Sequence, residues 1–546
     1  MADFRLIDHE GYSHQLKRIL DRKAILLVAV GHDSAPLREH FPAIKAVMEP
    51  LGGDIETLLV GGGQGCDRDS LAALAGALES PFPILHDETG LVLQQLGFAH
   101  SGDLALIDTA TWQIRFRSTL GAAATATEAF RGALSTGGPF TGSNEATAAE
   151  PLVLELPGAT PDYATVVAPV LAAKCYGCHS PGGTGPFAMT SHKKVTGWAA
   201  MIREMVMTAQ MPPWSADPHF GFFSNGQALD TAGKTALVTW IDAGAPRGAG
   251  ADPLEALAPP AQEPWQLGAP DMILSLSKPE IIPAEGILDY RFITVEIPIA
   301  EDRWLRAAQV RPGNPAVVHH ALTFIQWPKE RRWMQYMADG GDRAFTAGYV
   351  PGSSLLEFPE GSGQYVPKGS RMIFQMHYTV TGKEETDRTE MGLYFTEGRP
   401  QFEYNNRSAF HRNFVIHPND GNHALSAKFM FKEDGNLFAM SPHMHFRGSR
   451  MKYIAHYPDG QTETLLSVVD YNFNWQHTYK LAEPKFIPKG TIIECEGAFD
   501  NSVRNARNPD PEQTVRRGQQ SFNEMYIGYI HYAGATPIPE GDYRRR

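Results

Sequence analysis

Cys175-Tyr176-Gly177-Cys178-His179 sets two thiols three residues apart and an imidazole directly after the second. Thiols at that spacing can form thioether bonds to the vinyl groups of one haem while the adjacent imidazole ligates its iron, the attachment run C-x-x-C-H of a c-type haem. A zinc or redox C-x-x-C that happens to precede a histidine is the competing reading. Zinc would need a second pair of ligands nearby, and the two remaining cysteines, Cys66 and Cys495, are far away in sequence. The run predicts one covalently bound haem c on Cys175 and Cys178, with His179 as axial ligand, and hence a chain that moves single electrons.

The spacing predicts a helix over 191–210, ended by the prolines of Met211-Pro212-Pro213-Trp214. A methionine held there could reach the second axial position. Met201, Met205 and Met207 compete with Met211 for that role, although methionines at helical spacing more often pack a core. His219 is a further competitor. From Pro161 to Arg247 the sequence is similar to cytochrome c domains with a Met-Pro-Pro-Trp motif, closing in a helix with Trp240 and a Gly-Ala-Pro stop.

A second set of ligand-type residues lies further on: His319-His320, His377 in Gln375-Met376-His377-Tyr378, His443-Met444-His445, and Met525 in Asn523-Glu524-Met525-Tyr526. Residues two apart on a strand share a face, so His443 and His445 can grip one metal. Neighbours on a regular strand face opposite sides, so His319 and His320 can share a metal only at a bulge or a strand end. Each histidine alone is more often an ordinary core or surface residue; the set carries the weight. Imidazoles suit copper in both oxidation states, a thioether beside two imidazoles favours Cu(I), and zinc would not ask for methionine.

In order and character this set resembles the type 2 copper, ascorbate-dependent monooxygenases, the family of the peptidylglycine and dopamine hydroxylases, over about half the chain from near Ala269 to Tyr532. The resemblance implies two copper ions. One falls on His319, His320 and His377 of a first β-sandwich, the other on His443, His445 and Met525 of a second. It further implies that the second copper meets dioxygen, with Met525, His443 and His445 as catalytic ligands, while the first stores and delivers an electron. Each turnover would take two electrons, insert one oxygen atom into a substrate C–H bond and release one water. The peptide hydroxylases hold a substrate carboxylate with an arginine before the H-x-H pair and an asparagine and a tyrosine after the methionine. Those positions are Ser441, Ile527 and Tyr529 here, so the charged part of the clamp is missing. A peptide with a C-terminal glycine is therefore not the expected substrate.

The expected activity is that of a copper-dependent monooxygenase acting on a small or medium-sized organic substrate with dioxygen, its electrons arriving from an external donor through the fused haem. An electron-transfer or copper-binding protein without turnover is the alternative, and reversed flow, in which substrate oxidation feeds the haem, is a third reading. A complete ligand set argues against a decayed site.

Elements that could position these residues follow from texture. At 546 residues the chain is too long for one core. Acidic residues outnumber basic ones, 61 to 48, and no basic run precedes Arg544-Arg545-Arg546, which excludes nucleic acid as an expected partner. The longest apolar run, Ala24 to Val30, is far short of the roughly 20 residues that span a bilayer, so no transmembrane segment is expected.

Residues 1–140 alternate apolar runs with amphipathic stretches and resemble thioredoxin-like α/β domains, notably through Phe82-Pro83-Ile84-Leu85-His86-Asp87. The reactive stretch of that fold corresponds to Gly31-His32-Asp33-Ser34-Ala35-Pro36, which holds no sulfur; Cys66 lies in another loop, and a docking or structural role without redox chemistry is expected. Gly- and Pro-rich linkers at 136–161 and 248–264 set off an α-helical cytochrome c domain at 160–248.

Beyond them, short β-branched and aromatic runs carry an all-β signature, and the family resemblance implies two jelly-roll-like copper β-sandwiches, at 267–400 and 401–537. Tyr365-Val366-Pro367-Lys368-Gly369-Ser370 is echoed by Phe486-Ile487-Pro488-Lys489-Gly490-Thr491, as two related sandwiches would require. Covalent haem attachment implies maturation outside a bacterial cytoplasm. No export signal opens the chain, and a periplasmic or secreted mature form is expected.

Overall fold

The computed structural model describes residues 1–31, 35–49, 53–119, 152–153, 158–259, 264–286, 288–331, 344–350 and 354–540. His32–Ser34 of the expected reactive stretch, most of the first linker and the terminal arginines lie outside them. The chain divides into two compact units, Met1–Ser215 with Gln227–Pro259 and Val503–Ala506, and Ala216–Gly226 with Pro260–Ser502 and Arg507–Arg546.

The first unit opens on a seven-stranded sheet. Its strands run in the order Ser13–Gln15, Arg5–Asp8, Ile84–Asp87, Ile55–Gly62, Ala24–Val30, Asp103–Asp108, Gln113–Thr119. Ala24–Val30 is buried along its whole length, parallel to Ile55–Gly62 and antiparallel to Asp103–Asp108. A strand covered on both faces needs no polar alternation. Its side chains still divide by period two: Ile25, Leu27 and Ala29 enter one core, and Ala24, Leu26, Val28 and Val30 the other.

The first of these cores continues into Tyr163, Val206, Met207, Leu237 and Trp240 of the helical part. The single helix expected over 191–210 is two, His192–Gly197 and Ala199–Met207, parted at Trp198, whose ring stacks on Phe187 at 4.6 Å. The second helix stops before the prolines, and Ala209 just beyond it takes a left-handed φ of 49°. Met207 is fully buried in the core, as methionines at helical spacing usually are, while Met201 is exposed.

The second unit is built of antiparallel sheets. Arg291–Glu296, Arg371–Tyr378, Val318–Gln326 and Ala344–Tyr349 form one sheet, and Val318, Ala321 and Ile325 share a core with Trp304, Leu305 and Val310 of Arg303–Arg311 in a longer one. That longer sheet runs on through Ser362–Val366, Phe402–His411, Tyr526–Gly534 and Gly435–His443 to Tyr479–Ile487, with one parallel junction at Ser362 and Phe402. Its far half packs on a four-stranded sheet of His423–Met430, Ile492–Phe499, Gly448–His456 and Thr462–Val468: Tyr526 donates from its hydroxyl to the Leu425 and Cys495 carbonyls.

The echoed segments make the same turn. Ser370 N–H donates to Pro367 O at 3.1 Å and Thr491 N–H to Pro488 O at 3.2 Å, with Gly369 and Gly490 at φ 84° and 91°. A positive φ at the third turn residue is what glycine supplies there.

Candidate metal centres

His319, His320 and His377 meet. One ring nitrogen of each lies within 4.8 Å of the others. His320 faces His377 across the paired strands, and the register slips between Val318 and His320, so His319 is the extra residue of a bulge. That bulge resolves the geometric objection to neighbouring histidines sharing a metal, because it turns both rings to one side.

Hydrogen bonds choose the ligating atoms. His319 Nε2 bonds Asn474 Oδ1 at 3.0 Å and His320 Nε2 bonds the Tyr290 hydroxyl at 3.2 Å, leaving each Nδ1 bare. The bare Nδ1 atoms face one another at 3.0 Å between His319 and His320 and 3.4 Å between His320 and His377. Converging lone pairs at that distance call for a cation among them, so the donor set fits a copper ion. Burial holds His319 and His320 below the ordinary imidazole range and His377 down at about 3, so all three are neutral at physiological pH, as ligands must be.

His443 and His445 form the second pair, with ring centres 5.3 Å apart. The strand ends at His443, so His445 lies just past it rather than two residues along a regular strand. Here the hydrogen bonds run the other way: His443 Nδ1 to Gln476 Oε1 at 2.7 Å and His445 Nδ1 to Asn523 O at 3.1 Å, which leaves both Nε2 atoms free. Burial lowers His443 to about 4 and His445 to about 3.

Met525 follows Glu524 directly and precedes the strand Tyr526–Gly534. Glu524 is fully buried and its carboxylate accepts from the N–H groups of His445, at 2.8 Å, and Arg447, at 2.7 Å. The backbone that carries Met525 is thereby tied to His445 on both its Asn523 and Glu524 sides. Two imidazole Nε2 atoms fit a copper ion, and a thioether from Met525, the residue after Glu524, would soften the set toward Cu(I).

One loop serves both clusters. Phe473 puts its ring 5.8, 5.5 and 5.9 Å from His319, His320 and His377 and 5.6 Å from His445, while Asn474 and Gln476 orient His319 and His443. Beside His443 opens a cleft lined by the apolar Leu322, Phe345 and Leu356 and the polar Gln476, Thr478 and Lys480. Ser441 and Tyr529, the positions expected for the substrate clamp, also face it. Tyr290, Phe473, Asn474 and Gln476 escaped the sequence reading, since each acts on a residue far away in chain and none belongs to a ligand-type motif.

In the first unit Cys175 ends the helix Ala168–Lys174, and both Cys178 N–H, at 3.2 Å, and His179 N–H, at 2.9 Å, return to the Cys175 carbonyl. His179 Nδ1 donates to Phe187 O at 2.9 Å, which fixes the tautomer and leaves Nε2 for iron. Burial pushes the Cys175 thiol up to about 12, far from the thiolate a redox C-x-x-C needs. Among the described residues the only group of three or more metal-ligating His, Cys, Asp or Glu side chains is the histidine triad, so no zinc partners gather at Cys175 and Cys178. The arrangement fits a haem. Met211 is anchored by its N–H on Met205 O at 3.2 Å, whereas His219 belongs to the second unit, its ring on Asp217 Oδ1 at 3.1 Å.

Cys66 stands just before the helix Arg68–Leu78, capped by Asp67, and burial with the Asp67 and Asp87 carboxylates raises its thiol to about 12. It is a neutral thiol at physiological pH. No described helix is long and apolar enough to cross a membrane.

The chain is similar in structure to a hypothetical protein from Sinorhizobium meliloti, at 19% identity over 28% of this chain and 87% of that one, with a TM-score of 0.23. It is also similar to an exposed lipoprotein thioredoxin from Streptococcus pneumoniae, at 18% identity over 23% and 99%, TM-score 0.21. A thiol-disulfide oxidoreductase from Bacteroides fragilis matches at 18% identity over 24% and 96%, TM-score 0.21. No curated protein matches the sequence. Residues 420–540, which include His443, His445 and Met525, match the family model of the copper type II ascorbate-dependent monooxygenase C-terminal domain.

Proposed function

We propose that this protein is a copper-dependent monooxygenase that hydroxylates a C–H bond of a small or medium-sized organic substrate, with electrons entering from an external donor through a haem c on its own chain. The chain would comprise a thioredoxin-like domain at 1–140, a cytochrome c-like domain at 160–248 and two copper sandwiches at 267–400 and 401–537. The observation that carries the reading is the pair of imidazole clusters in one unit, with the tautomers of His319, His320, His443 and His445 set by hydrogen bonds and one cluster opening on a cleft. Bound copper would supply dioxygen activation and one-electron storage, and bound haem would supply electron entry.

The chain's residues then have defined tasks. His319, His320 and His377 offer Nδ1 to one ion; His443 and His445 offer Nε2, with Met525 as the soft ligand, to the other. Cys175 and Cys178 would anchor haem, and His179 and Met211 would hold its iron. Phe473 packs apolar surface against ligands of both clusters, which keeps water from the histidines it covers. Leu322, Phe345 and Leu356 give the substrate an apolar wall beside His443. The thioredoxin-like domain, with Cys66 held as a neutral thiol, has a structural or docking role. Haem attachment supports a periplasmic or secreted location.

Metal and haem analysis of the full chain, followed by oxygen uptake in the presence of a reductant and candidate substrates, tests the proposal. Two coppers and one haem per chain, with oxygen consumed in step with a hydroxylated product, are expected. Copper and haem binding without coupled oxygen consumption would assign an electron-transfer protein instead.

A further inference from the structure

The wall of the cleft beside His443 has three rungs, across two strands and the segment that leads into a third at Tyr479. Ile527, His443 and Gln476 form the first rung, Tyr529, Ser441 and Thr478 the second, and His531, Ala439 and Lys480 the third. Gln476 and Thr478, just before the strand, and Lys480 within it all line the cleft. The small Ala439 opposite leaves the Lys480 side chain room.

Two groups on this wall lack partners. Gln476 gives its Oε1 to His443, but its Nε2, buried in the cleft wall, has no hydrogen-bond partner. The Lys480 ammonium takes part in no hydrogen bond or ion pair with any described residue; burial lowers it and the charge of Glu357 raises it. A buried donor without an acceptor costs free energy that a bound acceptor would recover.

The middle rung completes the set. Ser441 Oγ lies 2.9 Å from His531 Nε2 and 2.8 Å from Thr478 Oγ1, and His531 Nδ1 lies 2.8 Å from the Tyr404 hydroxyl and 3.3 Å from Asn406 Nδ2. Donation from Tyr404 and Asn406 to Nδ1 leaves the His531 proton on Nε2, pointing at Ser441. Ser441 is then a hydrogen-bond relay, not a nucleophile, and it frees a hydroxyl proton of the Ser441–Thr478 pair for the cleft. No carboxylate is among the residues lining the cleft.

We infer that this cleft binds an organic anion with an apolar body, its carboxylate held by Lys480 and the donors next to it while its chain lies along Leu322, Phe345 and Leu356 toward His443. The cation thus sits one rung further from the metal ligands than Ser441, where the arginine of the peptide hydroxylases would fall. The reacting carbon would be several bonds from the acid group. The inference rests on the proposed monooxygenase reading only for what happens after binding.

Isothermal titration of the full chain as purified, with octanoate, 1-octanol and octylamine, tests it without turnover. Octanoate is expected to bind about ten-fold or more tighter than the other two, a margin typical of one charge-assisted contact. Lys480→Met should bring octanoate down to the level of the alcohol, and Lys480→Arg should restore the preference. Equal affinity for the three probes on the unaltered chain, absence of octanoate binding, or unchanged octanoate affinity in Lys480→Met would overturn it. The probe series on the unaltered chain decides the matter even if Lys480→Met does not fold. Selective octanoate binding with no oxygen uptake on any acid would keep this site and remove the monooxygenase reading.

Discussion

Tyr290→Phe removes one oxygen atom and tests the ligand geometry of the three-histidine cluster. The Tyr290 hydroxyl is the partner of His320 Nε2, at 3.2 Å, and both side chains are buried. Without it the fully buried His320 has two choices. It can keep its proton on Nε2 with no acceptor, at about 1–3 kcal/mol. It can instead move the proton to Nδ1, where it points at His319 and His377 and blocks the metal. Either route weakens copper binding at this cluster, and loss of such an outer partner typically costs about 10–100-fold in metal affinity. That range is about 1.4–2.7 kcal/mol. The Phe ring keeps the packing against His377, 4.8 Å away between ring centres, so the fold should be intact. Copper competition titrations resolve two classes of site, and His443 with His445 should be unaffected. Parental affinity at both sites would refute the assignment of Nδ1 as the ligating atom of His320.

Met525→His should leave a copper-binding site but disfavour Cu(I), so hydroxylation collapses while haem reduction persists; His377→Ala should instead slow reoxidation of the haem, both read by stopped-flow spectroscopy. Met211→Ala should shift the optical bands and potential of the haem, and an unchanged spectrum would point to His219 or another ligand. Peroxidase and disulfide-reductase assays should show only background, because Cys66 is a neutral thiol; activity that vanishes in Cys66→Ala would contradict a redox-inactive domain. His377, His443, His445 and His531 are held at about 3 to 4, below the ordinary 6.5. Since the unfolded chain takes up those protons first, their contribution to stability is complete above about 6.5 and lost as pH falls toward 3 to 4. The urea midpoint of metal-stripped protein should therefore drop from about pH 7 to about pH 5.

The α/β beginning was legible because its apolar runs are short, bounded and β-branched, and Ala24–Val30 is a strand over the very span of its run. The helix expected over 191–210 was over-extended, since periodicity cannot register the turn at Trp198 that sets its ring on Phe187. Of the candidate ligands, His319, His320 and His377 were legible as a set, and the bulge that lets the first two cooperate was anticipated as a requirement. Sequence could not say which nitrogen of each ring faces the metal. That is decided by Tyr290, 30 residues before His320, and Asn474, 155 residues after His319. No local pattern encodes such partners.

The opposite choice of nitrogen at the two clusters explains why the loop around Phe473 holds so many of the missing residues. His319, on its bulge, and His443, at its strand end, sit where the regular ladder of backbone bonds lapses, so neither ring is fixed by its own strand. Asn474, in a turn, and Gln476, just after it, supply the two orienting acceptors from one segment. Phe473 packs against rings of both clusters, where a polar side chain would compete for the bare nitrogens. Thr478 and Lys480 continue the segment into the cleft. One run of the chain therefore orients one histidine of each cluster, packs apolar surface against both and lines the cleft. A residue inserted between Phe473 and Gln476 would disturb all three at once, whereas the same insertion at an exposed turn such as Asp459-Gly460 should disturb none.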